Sequence, residues 1–525
     1  MGFGRLSVAL ALSLLVIALG PPRHAHGSEA FGSFLESIRQ LWSDDAENAD
    51  ENQVQFSVAL NLASGPPDLK DALEEASALV AQSEEGVPTT ETLLALARQE
   101  PARLTAALYQ QGYYGARIEI AVAGQPLNDD TSEFAIGDGQ TVPVTITVEP
   151  GPFFSFGEIR IVSTGAQSLP NTANKIADEE GLVSGRPARS GAILDTGRAI
   201  VADLKEQGFA FAKIEARDVT ADHANRTVSV TLKIAPGSQT EFGEVEVRGA
   251  QRFSEDLLRS RADLPVGGNY SPKKLDAARK RLVELEGIAG ARVIEGEEAD
   301  SQGRIPIIFD VTERKRNYFG ANATVSSVDG AELNAYWGDR NLFGNGESLR
   351  LDGTLSNLGG GDVNDLEYEA KASLGWPSLY SAYTDYQASL SVKHEEVDSY
   401  QSDEAQASAA VIHRFSPELT GDAAFQASWL QTEDAFGKQE FFQLSLPAEL
   451  IHDTRDSALD PTTGWRKVMF AEPVADLQNS SGYVRSRAQV ATYAKMSGTT
   501  STVLAARLVA GSIVGADLED VPAPD

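Results

Sequence analysis

The chain has 525 residues, 42% of them hydrophobic, with 44 basic against 76 acidic side chains and a formal net charge of -32. Such an excess of carboxylates repels nucleic-acid phosphates and anionic head groups, so nucleic acid is excluded as a partner. The lack of cysteine removes disulfides, thiolate zinc sites and cysteine nucleophiles together, and the length allows roughly three or four domains.

At the N-terminus Arg5 precedes an apolar run from Leu6 to Leu19, which Pro21 and Pro22 halt; Ala25 and Gly27 then form a small-x-small pattern before Ser28. The run is shorter than the ~20 residues of a membrane helix. Residues 1–27 are therefore predicted to be a cleaved secretory signal, taking His24 and His26 with them. Residues 28–52, acidic from Ser43 to Asn52, are predicted to be a solvated linker. No later apolar stretch is long enough to span a bilayer as a helix, so further membrane contact must come through strands.

Up to about Arg316 the sequence repeats itself. Glu149-Pro150-Gly151 followed by Phe156-Gly157-Glu158-Ile159-Arg160-Ile161 has a second copy in Ala235-Pro236-Gly237 followed by Phe242-Gly243-Glu244-Val245-Glu246-Val247. Each is a Pro-Gly break that opens an alternating strand. Three segments of helical period end at a glycine and lead straight into a strand: Leu104–Gln111 at Gly112, Ile193–Gln207 at Gly208, and Leu275–Glu286 at Gly287. Glycine supplies the left-handed C-cap such a junction needs. The predicted strands that follow are Tyr113–Val122, Phe209–Ala216 and Ile288–Ile294, and the closing strands are Val142–Val148, Thr227–Ile234 and Ile305–Val311. The predicted architecture is three α+β repeats of strand, helix, helix, strand, strand, at 53–150, 153–236 and 242–313. Two readings stand open for them: spacers, or small sheets whose free edges accept an incoming strand.

From Asn317 the period becomes two. Leu366, Tyr368, Ala370, Ala372, Leu374 and Trp376 alternate with Glu367, Glu369, Lys371 and Ser373, and Phe425, Ala427 and Trp429 with Gln426 and Ser428. One apolar and one wet face, without intervening helices, predict an antiparallel transmembrane β-barrel over 317–525. About eleven strands are predicted, near 317–328, 330–343, 347–358, 366–377, 384–397, 405–416, 419–433, 440–454, 464–476, 483–496 and 502–515. The turns at Phe415–Glu418 and Ser497–Ser501 read as tight and periplasmic; Asn357–Asp365, Glu395–Glu404, Thr432–Gln439 and Val474–Gly482 read as longer outer loops.

Two turn motifs carry a family resemblance. Trp337-Gly338-Asp339-Arg340-Asn341-Leu342-Phe343-Gly344-Asn345-Gly346-Glu347 resembles the turn between the second and third barrel strands of the outer-membrane assembly-factor superfamily. Asp453-Thr454-Arg455-Asp456, followed by Pro461 and Gly464, resembles its turn between the eighth and ninth. The repeats then correspond to polypeptide-transport-associated (POTRA) domains, and three of them is the count of the TamA branch, the outer-membrane subunit of the translocation and assembly module. Both turns follow even-numbered strands and are expected on the periplasmic side. Turn chemistry alone accounts for the residue types, with Asp339 and Arg340, or Asp453 and Arg455, satisfying local backbone and each other; a role in positioning the repeats beneath the barrel is the alternative.

The resemblance implies a barrel of sixteen strands whose eleventh is followed by a lumen-folding loop. The sequence ends at Val521–Asp525 where that loop would begin, so about eleven of those strands are expected, with open edges, in a fragment or interrupted reading of a longer gene; the alternative is that another chain supplies the rest. It further implies a non-enzymatic factor of the cell outer membrane, with its repeats in the periplasm, that aids insertion or translocation of autotransporter-type β-barrel clients. The implied partners are the lipid bilayer, unfolded outer-membrane protein clients and an inner-membrane-anchored TamB-like protein. The first strand, Tyr318, Phe319, Gly320, Ala321, Asn322, Ala323, Thr324 and Val325, is implied as the seam that pairs with a client strand. The alternative is a transporter that passes polypeptide or phospholipid between membranes without templating. His223, His394, His413 and His452 are scattered and no serine lies in a nucleophile elbow, so no enzyme, cofactor or metal site is expected.

Overall fold

The computed structural model describes residues 53–127, 141–165, 167–326, 330–358, 366–397, 400–434, 437–496, 502–516 and 521–522. The predicted signal, the acidic linker, most of the segment 357–365 and the predicted turn Ser497–Ser501 lie outside them. The chain divides into two compact units, one of residues up to 162 with 171–198 and 216–233, the other of 234–525 with 163–170 and 199–215.

The first repeat runs β1 (Phe56–Leu62), α1 (Pro67–Ala76), α2 (Ala78–Gln82), α3 (Thr90–Gln111), β2 (Arg117–Val122), β3 (Gln125–Pro126) and β4 (Val142–Glu149). The closing strand β4 lies between β1, parallel to it, and β2, antiparallel. Val142, Val144, Ile146 and Val148 of β4 are all buried, against Leu93, Leu104 and Leu108 of α3. Three helices stand where two were predicted, because Ser77 takes extended geometry after α1 and its hydroxyl accepts from the Val80 N–H to start α2.

The second repeat is β5 (Ser155–Ser163), α4 (Thr172–Glu179), α5 (Ser190–Glu206), β6 (Lys213–Asp222) and β7 (Thr227–Ala235), in sheet order β5-β7-β6. The third is β8 (Glu241–Arg248), α6 (Glu255–Ala262), α7 (Pro272–Val283), β9 (Ile288–Glu295) and β10 (Arg304–Glu313), in order β8-β10-β9. Both have the predicted element order. Gly112 and Gly208 occupy the left-handed region, at φ 87° and 100°, as a C-cap demands. Gly287 does not: α7 stops at Val283, and a Cβ on Gly287 would run into the Phe253 ring. Close packing, and not capping, requires that glycine. The strands after Gly112 and Gly208 also begin later than predicted, at Arg117 and Lys213.

The final domain is one antiparallel sheet of twelve strands: β11 (Asn317–Ser326), β12 (Gly330–Asp339), β13 (Ser348–Leu358), β14 (Glu367–Trp376), β15 (Thr384–Val397), β16 (Tyr400–Arg414), β17 (Leu419–Asp434), β18 (Gly437–Ser445), β19 (Ala448–Asp453), β20 (Gly464–Asp476), β21 (Ser481–Lys495) and β22 (Val503–Val514). Each strand pairs with its neighbours in sequence, except that β18 and β19 both lie between β17 and β20. Those two are the single strand predicted over 440–454. Pro447 cannot donate to a ladder, so the strand breaks there, while the Pro447 carbonyl still accepts from the Ala424 N–H at 2.9 Å. Leu390, Val392, Phe425, Trp429 and Phe442 emerge exposed on one face, as the alternation requires of a surface made for lipid. No helix among the described residues is long and apolar enough to cross a membrane.

The predicted contrast of loop lengths is overturned at three of the four predicted outer loops, while the fourth, Asn357–Asp365, lies mostly outside the described residues. Glu395, Glu396 and Val397 pair with Ser402, Gln401 and Tyr400, so a segment read as a polar loop continues the hairpin of β15 and β16. His394 binds Asp403 and the Tyr400 hydroxyl donates to Glu395 within that extension. Ladder hydrogen bonds and cross-strand polar pairs satisfy residues whose polarity alone suggested a loop. At the other end of the sheet the connections 340–347, 377–383 and 454–463 are longer than those at 398–399, 435–436 and 477–480.

Candidate functional site

Strand β11 pairs with β12 along its whole length, from Asn317 opposite Asp339 to Ser326 opposite Gly330. Its other edge has no strand partner among the described residues. Phe319, Ala321, Ala323 and Val325 share one face, with Phe319 86% and Val325 83% exposed; Tyr318, Gly320, Asn322 and Thr324 share the other. The strand thus offers a row of backbone donors and acceptors flanked by small side chains, the form in which an edge takes up an added strand.

The connection after β12 is built around Asp339, which is buried and accepts from Arg316 Nε at 2.7 Å, Asn317 Nδ2 at 3.2 Å and the Asn341 N–H at 3.0 Å. Arg340 is not its partner, contrary to the sequence expectation. Arg340 Nη1 donates to the Lys315 carbonyl and its guanidinium lies 3.9 Å over the Tyr318 ring, with Glu286 of the third repeat at 3.7 Å. Asn341 then reaches the third repeat: its Nδ2 donates to the Arg252 carbonyl at 2.8 Å while its Oδ1 accepts from the Gly346 N–H. Gly344, at φ 107°, turns its carbonyl to the Ser254 N–H, the start of α6. Phe343 is exposed, and Trp337 lies on the apolar face of β12. The turn is therefore a seat for the third repeat.

The Asp453 turn is self-contained. Arg455 grips Asp453 at 2.6 Å, and Asp456 accepts from the N–H groups of Ser457, Thr462 and Thr463, which flank Pro461. Gly464, at φ 102°, passes so close to Thr454 that a Cβ would meet its carbonyl. The two motifs are not brought together, and only the first touches the repeats among the described contacts.

A second seat lies at the connection between β14 and β15. Arg261 of α6 is 1% exposed. Its guanidinium donates to Ser378 Oγ at 2.8 Å, the Ala382 carbonyl at 3.0 Å, Asp385 Oδ1 at 2.9 Å, Glu284 Oε2 at 3.2 Å and the Arg281 carbonyl at 3.1 Å. Arg414 binds the other oxygen of Asp385 at 3.0 Å. The Tyr383 hydroxyl donates to Asp263 at 2.7 Å, and Arg281 stacks over the Tyr383 ring.

Residues 317–525 match the model of the Omp85 superfamily domain, and residues 240–314 that of the surface antigen variable number repeat, the POTRA module. The chain belongs to the Omp85 superfamily. The outer membrane protein assembly factor BamA of Neisseria meningitidis serogroup B is 22% identical to this Omp85 chain over 305 residues, 56% of this chain and 36% of that one. The BamA of Neorickettsia risticii is 24% identical over 221 residues, 42% and 29% of the two chains. The Omp85 chain thus spans about a third of the length of these curated relatives, 36% and 29%. The crystal structure of BamA from Haemophilus ducreyi lacking POTRA domains 1-3 shares its fold, with a TM-score of 0.52 at 14% identity over 69% of this chain and 71% of that one. This Omp85 protein is an outer-membrane β-barrel protein with periplasmic POTRA domains. The likenesses place it in the superfamily without choosing the TamA branch.

Sequence reasoning missed Arg261 and Asp385, which are 124 residues apart. The one available signal was an arginine on the apolar side of α6, where Leu258 and Ala262 are also buried. It also missed Glu313, the last residue of β10, which accepts from the N–H groups of Gln251, Arg252 and Phe253 at 2.8, 2.9 and 3.1 Å and from Arg252 Nε at 2.8 Å. Burial alone would raise this carboxyl, but the hydrogen bonds from Arg252, Gln251 and Phe253 outweigh it and hold the pKa down from 4.5 to about 2. A depressed carboxyl stabilises the fold fully above its ordinary pKa and loses that contribution as pH falls towards the folded value. Glu313→Gln is expected to cost about 2 kcal/mol at pH 7, in the range of hydrogen bonds to a charged group. Urea unfolding of the full chain in lipid vesicles should show the gap between variant and unaltered protein closing as pH falls below 4.5 towards 2. A gap that stays constant over that window would contradict the assignment.

Proposed function

We propose that this Omp85 protein is a non-enzymatic assembly factor that aids insertion or translocation of β-barrel clients across the outer-membrane bilayer by strand templating. The observation that carries the reading is the edge of β11: backbone groups without a strand partner among the described residues, at the small residues Gly320, Ala321 and Ala323. A client strand that pairs there exchanges the cost of unpaired backbone in lipid for ladder hydrogen bonds. Superfamily membership and the BamA relatives support the same reading. The finer proposal, autotransporter-type clients delivered with an inner-membrane-anchored TamB-like partner, rests on the count of three repeats. The edges of the repeat sheets that have no strand partner among the described residues suit pairing with an extended, unfolded client.

The test is photocrosslinking in cells that express the full chain. A photoreactive residue at Ala321 or Ala323 should capture unfolded barrel clients, while one at Lys371, on the polar face of β14, should not. Capture at Lys371 with none at β11 would replace templating with passage through the lumen.

A further inference from the structure

Strand β11 specifies its own register weakly. Gly320, Ala321 and Ala323 give it little to pack with, and glycine-rich strands slip most easily, in steps of two residues that keep each face on its side. Two contacts at its periplasmic end counter that tendency. Tyr318 stands opposite Gly338 and Tyr336 opposite Gly320, so each ring lies over a glycine of the neighbouring strand. A Cβ on either glycine would run into the facing ring. Each ring is also covered by a guanidinium on the polar face, Arg340 over Tyr318 at 3.9 Å and Arg350 over Tyr336 at 4.5 Å. Arg350 is held in turn by a two-oxygen grip on Asp352, and Arg340 has Glu286 of the third repeat beside it. A slip by two residues would bring each tyrosine opposite a side chain where it now finds a glycine. Farther up the strand, the side chains from Ala321 to Val325 make no such ring or ion-pair contact among the described residues.

We infer that Tyr318 and Tyr336 are positioning residues that lock β11 in register on β12, so that its free edge is presented to a client strand at one fixed height. The inference rests on the assembly reading, and the experiment separates the two. The chain contains no cysteine, so engineered pairs report without background. Ala323→Cys with Leu333→Cys reads the present register, in which these residues are opposite one another; Ala323→Cys with Ala335→Cys reads a slip of two. Both pairs are placed in the full chain in lipid vesicles, with a urea-unfolded eight-stranded outer-membrane barrel protein added as the client.

With both tyrosines present, only the 323–333 disulfide should form. Tyr318→Ala and Tyr336→Ala should each raise the 323–335 product at least tenfold and slow folding of the added barrel several-fold, and Tyr318→Phe and Tyr336→Phe, which keep the rings, should restore both. Should an alanine variant fail to fold, Gly320→Ala and Gly338→Ala displace the same rings and are expected to give the same slip. A register unchanged in all four of these variants, or a slip with no change in client folding, overturns the inference. If the unaltered chain does not speed folding of the added barrel, the assembly reading falls, while the disulfide pattern still decides whether the tyrosines hold the register.

Discussion

Asp385→Ala is expected to cost about 3–5 kcal/mol and to release the β14–β15 connection from the third repeat, because it takes from a buried positive charge the better-buried of its two counter-ions and leaves only Glu284. Asp385 is shared by two guanidiniums, Arg261 on Oδ1 and Arg414 on Oδ2, and also accepts from the Ser378 N–H at 3.0 Å. Without it the two arginines face each other with Glu284 as the remaining anion, and Glu284 is half-exposed and 3.7 Å from Arg414. Arg261→Leu should cost less, about 1–3 kcal/mol, although it removes more hydrogen bonds. That change deletes a buried charge along with its partners, Asp385 keeps Arg414, and the repulsion between the arginines disappears. The double variant should therefore lose less than the sum of the two, with a coupling of about 1–3 kcal/mol. Arg261→Lys should not rescue, since an ammonium cannot reach the spread of acceptors a guanidinium fork serves. Urea unfolding of the full chain in vesicles, read by hydrogen exchange in α6 and α7, measures all four. A larger loss from Arg261→Leu than from Asp385→Ala would invert the assigned roles.

What could be read from the sequence was whatever has a local period. The alternation in Leu366–Trp376 fixed which face of β14 meets lipid, and the Pro-Gly junctions at Gly151 and Gly237 fixed where β5 and β8 follow, because one dihedral period or one left-handed glycine suffices in each case. The same local logic misread Glu395–Glu404 as a loop, since a polar residue paired across a hairpin looks identical in sequence to one in solvent. It assigned Asp339 to Arg340, its neighbour, when the partner is Arg316 across the strand pair. Gly287 was read as a cap because the Phe253 ring that requires it is brought up by a separate element. Arg261 was invisible for the same reason: a buried arginine becomes meaningful only when Ser378, Ala382 and Asp385 arrive from the barrel. Contacts of long sequence separation are where the third repeat is seated, and they are the part of the site that no spacing encodes.

The two turn motifs, alike in composition, should accordingly part company when mutated. Asp339→Ala is expected to cost about 2–3 kcal/mol, the range for removing a buried acceptor with charged and backbone donors. Arg316 is 45% exposed and can rehydrate, but the Asn341 N–H is buried and loses its acceptor. Asn341 then loses the bond that orients it between the Gly346 N–H and the Arg252 carbonyl, and with it the third repeat's contact to the barrel. Faster hydrogen exchange at the Ser254 amide, which donates to the Gly344 carbonyl at 2.9 Å, is the expected local sign, and slower folding of an added unfolded barrel the functional one. Asp453→Ala removes a carboxylate whose described side-chain partners are Arg455 and Arg466. It should loosen the 454–463 connection and leave Ser254 exchange unchanged. Equal effects of the two substitutions at Ser254 would mean that the third repeat is held by the barrel rim as a whole, and not by the seat built on Asp339 and Asn341.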